Sequence, residues 1–145
     1  MSDPNLLTQR QIQELQDGHE RLRKADVPGV AMTYTPTYTG LSTAGVTTYT
    51  TQIGYFMQIG KMVIVSVFLN WSAATGTGIA LVSLPFAPSY ASSIRYAGGA
   101  SKGGNVRTAI AETGAGAQAC YLTTGGAAEN VSGTGDITLT LMYFT

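Results

Sequence analysis

The chain has 145 residues, a formal net charge of zero, only 11% charged residues, 18 glycines and one cysteine. This length predicts one main domain with a sizeable core. The lack of a basic patch argues against a nucleic-acid partner, and no apolar run approaches the roughly 20 residues that a membrane helix needs. Because low charge threatens solubility, such a chain is expected to hide part of its surface in an assembly.

The first 29 residues differ from the rest in charge and in periodicity. They hold nine of the sixteen formal charges, their polar start predicts no signal peptide, and good helix formers from Gln9 to about Lys24 predict a helix. Four residues on it recur at spacings of three, four and three, which predicts a narrow seam: Ile12, Leu15, His19 and Leu22. Since so short a helix is marginal alone, we expect residues 1–29 to be an attachment or trimerisation segment.

His19 has two interpretations. In a trimer, three imidazoles on the seam could bind a metal ion or act as a pH switch. The preferred interpretation is a half-buried polar residue that sets the register of the helices. The sequence therefore predicts no metal ion and no cofactor.

Residues 30–145 read as a β-domain. Its clearest strand begins at Met62, where an apolar row (Val63, Val65, Val67 and Leu69) alternates with a mixed row and predicts one buried face. Further strands are predicted at 31–39, 46–53, 79–84, 92–97, 105–112, 118–123 and 135–144, and turns or loops at 54–60, 72–78, 98–104 and 125–133. Pro36 indicates an edge strand or a bulge.

Short strands that alternate with glycine-rich turns, with no helices between them, are typical of antiparallel folds. The predicted fold is therefore mainly β: an antiparallel, jelly-roll-like β-sandwich with a short N-terminal α-helix. Cys120 has apolar neighbours, which favour a buried thiol without an internal disulfide.

An enzyme is not expected. The only histidine is His19, outside the β-domain, so no Ser/His/Asp set is available there. Glu112 and Glu129 are placed at loop edges, where carboxylates are usually solvated, and residues 75–78 lack the lysine and the following helix of a phosphate loop. Four aromatic residues could form a flat surface that binds a sugar ring: Trp71, Tyr90, Tyr96 and Tyr121. Trp71 is the best candidate among them, although packing in the core is the favoured interpretation.

Several short motifs together resemble a known family. They are Tyr34-Thr35-Pro36-Thr37, Tyr55 with Gln58-Ile59-Gly60-Lys61, Thr75-Gly76-Thr77-Gly78, Ser83-Leu84-Pro85-Phe86, Gly133-Thr134-Gly135-Asp136-Ile137 and Tyr143-Phe144. This pattern, over roughly residues 31–145, resembles the β-sandwich module of tailed-bacteriophage virion proteins. The module occurs at the tips of tail fibres and tailspikes and in small capsid-bound proteins, and the resemblance implies homotrimers.

Two locations on a virion fit this resemblance. Because the chain is short for a fibre and has only a short helix for attachment, we expect first a trimeric capsid decoration (cement) protein that binds the major capsid protein on the outer shell. The alternative is the receptor-binding knob of a tail or head fibre, which would recognise a host surface glycan. A third reading is an unrelated β-sandwich lectin.

Overall fold

The computed structural model describes residues 30–89, 94–111 and 118–145, together with Gln11, Gln13, Glu14 and Gln16. The chain divides into two compact units, Met1–Val30 and Ala31–Thr145. In the first unit, Gln11, Gln13, Glu14 and Gln16 have helical backbone. The predicted seam of Ile12, Leu15, His19 and Leu22 lies outside the described residues, so the N-terminal helix as a whole and its seam remain predictions.

The described part of the second unit consists of strands and loops. The strands are β1 (Met32–Tyr34), β2 (Tyr38–Gly40), β3 (Thr47–Ile59), β4 (Met62–Ala74), β5 (Ala80–Ser83), β6 (Tyr96–Lys102), β7 (Asn105–Ala111), β8 (Ala119–Thr124), β9 (Ala127–Ala128) and β10 (Gly135–Phe144). Every pair of neighbouring strands is antiparallel. The predictions of a mainly β, antiparallel fold are therefore confirmed.

All ten strands belong to one hydrogen-bonded sheet, which curls into a half-barrel. The order is β1-β3-β4-β10-β6-β7-β8-β5-β2, with β9 paired to β8. The two outermost strands, β1 and β2, are consecutive in sequence and are separated only by residues 35–37. One extended segment thus pairs with β3 at one edge of the sheet and with β5 at the other. Pro36 lies between these two edge strands, where a missing backbone N–H interrupts no ladder.

The core lies inside the curl and follows the alternation of the longest strands. On β4, Val63, Val65, Val67 and Leu69 are buried as predicted, and on β10 the buried row is Ile137, Leu139, Leu141 and Tyr143. The two rows face the same side, because Val67 is opposite Leu139 and Val65 is opposite Leu141. Tyr38 of β2 stacks on Trp71 of β4 with ring centroids 4.1 Å apart, so side chains join strands that are distant in the sheet order.

Two glycine-rich stretches were predicted as turns or loops and are strands instead. Residues 54–59 continue β3, and the Tyr34 ring lies where a Cβ of Gly54 would be, 2.5 Å from Cε1. Residues 98–102 belong to β6, and the turn is confined to Gly103 and Gly104. Both predictions were wrong because glycine serves here as space for a neighbouring element rather than as a chain breaker.

Candidate functional site

Two surface features of the β-domain differ from the rest of its surface. They are an apolar outer face and a charged cleft at one end of the curled sheet. The apolar face lies on β3, β4 and β10, on the side opposite the core. In the strand register, Ile53 is opposite Phe68 and Met57 is opposite Ile64, while Ile64 is also opposite Met142. We use the name apolar face for nine residues of these three strands: Ile53, Tyr55, Met57, Ile59, Met62, Ile64, Phe68, Met142 and Phe144.

These side chains are accessible although they are large and apolar. Tyr55, Met142 and Phe144 are 49%, 52% and 46% exposed. The outward positions between them are polar but uncharged, as with Ser66 and Thr140, which are opposite each other. An exposed group of neighbouring large apolar side chains of this kind is typical of an interaction site.

The charged cleft forms where the inward rows of β6, β7 and β8 reach the end of the sheet. Lys102 continues the inward row of Ala100, and Arg107 is opposite Ala100 across the β6–β7 hairpin. Gly103 and Gly104 have φ angles of 56° and 74°, the two consecutive positive values that a two-residue type I′ turn requires. This turn fixes the register that places both cations on the inner face.

Glu129 joins the two cations from the segment that follows β9. Its carboxylate accepts hydrogen bonds from Nε of Arg107 and from the Thr124 hydroxyl, and its Oε2 lies 3.3 Å from Nζ of Lys102. Backbone bonds hold Glu129 in place, since its N–H donates to Leu122 and its carbonyl accepts from Ala80. The side chains of Lys102, Arg107 and Glu129 are only 14%, 18% and 16% exposed.

The pKa of Glu129 is lowered by this arrangement. Burial raises the pKa of its carboxyl group, but the hydrogen bonds from Thr124, Arg107 and Lys102, with the positive charge of Lys102, more than offset burial. Glu129 is therefore ionised at neutral pH, and the three side chains carry a formal charge of +1. Of the six charged side chains among the described residues of 30–145 (Lys61, Arg95, Lys102, Arg107, Glu129 and Asp136), three meet here.

The cleft beside these charges has a volume of about 450 Å³ and is open to solvent. Amide and hydroxyl side chains complete its lining, from Asn130, Ser132 and Thr134. The Oγ of Ser132 is buried and has no hydrogen-bond partner within the described part of the chain. Hydrogen-bonding groups without partners are rare in folded proteins and call for an explanation.

Among the described residues, the predicted carbohydrate contacts do not form either surface. Trp71 lies on β4, where it is 2% exposed, with one ring face against Tyr38 and its Nε1 donating to the Ser132 carbonyl. Its ring is therefore not available as a carbohydrate contact, in agreement with the core packing favoured from the sequence. Tyr121 is buried, and the hydroxyl of the partly buried Tyr96 donates to the Ser89 carbonyl.

Other predicted residues have mixed outcomes. Ile12, Leu15, His19, Leu22, Tyr90 and Glu112 lie outside the described residues. Glu129 was expected to be solvated and is instead largely buried and paired, because β9 turns it back over the end of the sheet. Cys120 is a buried free thiol as predicted, and burial raises its pKa to about 12.

The charged cleft could have been recognised in part from the sequence. A Lys-Gly-Gly-Asn turn predicts a hairpin with a two-residue loop, and its register alone places Lys102 and Arg107 on the same face. The partner Glu129 is 22 residues from Arg107, so no local pattern indicates it.

No group of three or more His, Cys, Asp or Glu side chains that could hold a metal ion occurs among the residues with described positions. Within the same residues, no helix is both long and apolar enough to cross a membrane. Comparison of the chain with protein-family models, with curated proteins and with solved structures gives no match. Functional assignment therefore depends on the sequence motifs and on the geometry of the two surfaces.

Proposed function

We propose that this chain is a structural protein of a bacteriophage virion, a trimeric decoration protein that binds the major capsid protein and stabilises the outer shell. The observation that carries the proposal is the apolar face, which supports a protein that works in an assembly. It adds to the resemblance of residues 31–145 to phage virion modules. Localisation on the capsid surface and the absence of enzymatic activity are part of the proposal.

The fold of the module belongs to the same proposal. A jelly-roll-like sandwich would have β1, β3, β4 and β10 in one layer and β2, β5, β7 and β8 in the other. The contact of Tyr38 with Trp71 and the hydrogen bond of 3.2 Å from the Tyr34 hydroxyl to the Ser83 carbonyl support two such facing layers.

Each of the two surfaces has a role in this proposal. The apolar face suits the permanent contact between copies of the chain, because extensive apolar burial is typical of obligate interfaces. The seam of Ile12, Leu15, His19 and Leu22 is proposed to attach the trimer to the shell. Binding of many copies to the assembled shell, but not to its free subunits, would stabilise the shell by mass action.

The charged cleft favours a second candidate, the receptor-binding knob of a tail or head fibre. A concave, solvent-open site with paired charges and amide and hydroxyl side chains is suited to a polar ligand. A decoration protein has no need of such a site. A host surface glycan is the partner in this second candidate.

The number of copies per particle distinguishes the two candidates. Virions from a phage that encodes this chain would be purified, and the chain would be quantified against the major capsid protein by mass spectrometry with isotope-labelled peptides. A decoration protein is expected in hundreds of copies, whereas a fibre knob would give a few tens at most. A virion that contains no copies would refute both candidates.

A further inference from the structure

We propose that the charged cleft binds an oxyanion, the carboxylate or phosphate group of a larger ligand, through Lys102, Arg107 and Ser132. The inference concerns a ligand site and stands whether the protein decorates a shell or forms a fibre knob. It begins from the donors that the cleft leaves unused.

Each of the three residues has a donor to spare. Arg107 uses Nε for Glu129 and Nη1 for the Val106 carbonyl, and its Nη2 group has no partner among the described residues. Lys102 contacts Glu129 at 3.3 Å and the Asn130 carbonyl at 3.4 Å, which leaves one of its three ammonium protons. The Ser132 hydroxyl is buried and has no hydrogen-bond partner among the residues with described positions. Lining one cleft, these groups offer several donors to a ligand that brings acceptors.

The charge of the cleft selects the sign of the ligand. Glu129 pairs with both cations, but two positive groups and one carboxylate leave a formal charge of +1 on largely buried side chains in the wall of the open cleft. A second anion would neutralise this charge and make charge-assisted hydrogen bonds, which are about twice as strong as neutral ones. A cationic ligand would face unfavourable contacts with both Lys102 and Arg107.

Glu129 positions the two cations rather than competing for the ligand. Its two oxygens accept from Arg107, Thr124 and Lys102, and its backbone is bonded to Leu122 and Ala80. The cations are therefore ordered before a ligand arrives, which reduces the entropy lost on binding. Gly103 also lines the cleft and has nothing within 4 Å of its Cβ position, which leaves room for the rest of the ligand.

Titration followed by NMR tests this proposal. The full-length ¹⁵N-labelled protein would be titrated at constant ionic strength with inorganic phosphate, with glucuronate as a carboxylate and with glucose as a neutral control. We expect saturable shifts of the Gly103, Ser132 and Gly135 amides with phosphate or glucuronate and none with glucose. The response to each anion identifies which oxyanion the cleft prefers.

Matched variants assign the binding to the cleft. Lys102→Gln is expected to weaken anion binding about tenfold, whereas Lys61→Gln removes an equal charge at the β3–β4 turn and is expected to leave binding unchanged. Ser132→Ala keeps every charge and should weaken binding by a factor of about three, as loss of a neutral hydrogen bond does. Absence of saturable shifts in the wild type with both anions, or equal affinities for Lys102→Gln and Lys61→Gln, would overturn the proposal.

Discussion

Two adjacent glycines of β6 are predicted to respond in opposite ways to the same substitution. Gly98 lies on the inner side of the strand, where an added Cβ would be 2.2 Å from the Thr140 carbonyl oxygen and 2.8 Å from the Cα of Leu141. Gly99 lies on the outer side, and nothing lies within 4 Å of its Cβ position. Gly98→Ala therefore places a methyl group in space that is already occupied, whereas Gly99→Ala places the same group in open space.

The expected magnitudes follow from these distances. The atoms that the Gly98 methyl group meets are backbone atoms of β10, so two paired strands must separate, and such overpacking costs about 1–3 kcal/mol. Gly99→Ala meets no obstacle and restricts the unfolded chain, so it is expected to stabilise the fold by about 0.4–1 kcal/mol. Because both variants restrict the unfolded chain equally, they should differ in free energy of unfolding by the overpacking cost, about 1–3 kcal/mol.

Urea unfolding followed by circular dichroism measures this difference, with equal m-values as the check that the surface exposed on unfolding is the same in both variants. Equal stabilities for Gly98→Ala and Gly99→Ala would contradict the placement of β6 against β10. A more stable Gly98→Ala would show that the inner and outer sides of β6 are exchanged.

Three further predictions concern the core, the cleft and the N-terminal segment. Val67→Ala should lower the free energy of unfolding by roughly 1–3 kcal/mol, because Val67 is 1% exposed and the substitution leaves a cavity. Ser66→Ala, on the exposed side of β4, should change the free energy of unfolding by less than about 0.5 kcal/mol. Similar losses for both variants in urea unfolding would contradict the orientation of β4. The lowered pKa of Glu129 means that its ionised form stabilises the fold above the unfolded-state pKa of about 4.3. The stability difference between wild type and Glu129→Gln should therefore be full near pH 7 and shrink as the pH falls through the folded-state pKa. A difference that stays constant from pH 7 to pH 3 in urea unfolding would argue against the ion pairs. Deleting residues 1–27 should leave the melting temperature of the β-domain nearly unchanged and abolish binding to capsids. The double variant Leu15→Asp with Leu22→Asp should have the same two effects. If the truncated chain binds capsids with wild-type affinity in a co-sedimentation assay, attachment belongs to the β-domain.

The strands that were predictable from sequence are those whose alternation is carried by large side chains. β4 and β10 were both predicted as strands, each has an uninterrupted apolar row, and both rows are buried. β7 and β8 were also placed within one or two residues of their observed bounds. At these positions the pattern of apolar side chains is enough to predict the strand.

The parts of β3 and β6 that were predicted as turns or loops contain glycines whose role depends on distant residues. Gly54 faces the Tyr34 ring, and Gly98 faces the backbone at Thr140. No pattern near either glycine announces such a neighbour, so both stretches resembled turns. The positions of β1 and β2 at the two edges of the sheet likewise depend on pairing with strands that are distant in sequence.

The candidate sites show the same division. The apolar face can be read from the sequence, because Met57, Ile64, Phe68 and Met142 alternate with the core rows, yet its continuity depends on the order of β3, β4 and β10. The charged cleft depends on the meeting of Glu129 with the β6–β7 hairpin. Sequence reasoning named aromatic residues as possible ligand contacts but favoured core packing for them, and Trp71 is part of the core.

Trimer formation through the apolar face can be tested by the mass of the purified protein in solution. At micromolar concentration the full chain is expected to have the mass of a trimer in light scattering coupled to size exclusion. Met142→Glu places a charge within the apolar face and should shift the mass towards the monomer, since an unpaired charge is costly to bury. Val106→Glu makes the same kind of change at a residue 87% exposed on β7, outside the apolar face, and should remain trimeric. A wild-type monomer, or a Met142→Glu variant that remains trimeric like Val106→Glu, would contradict the claim that this face holds the assembly together.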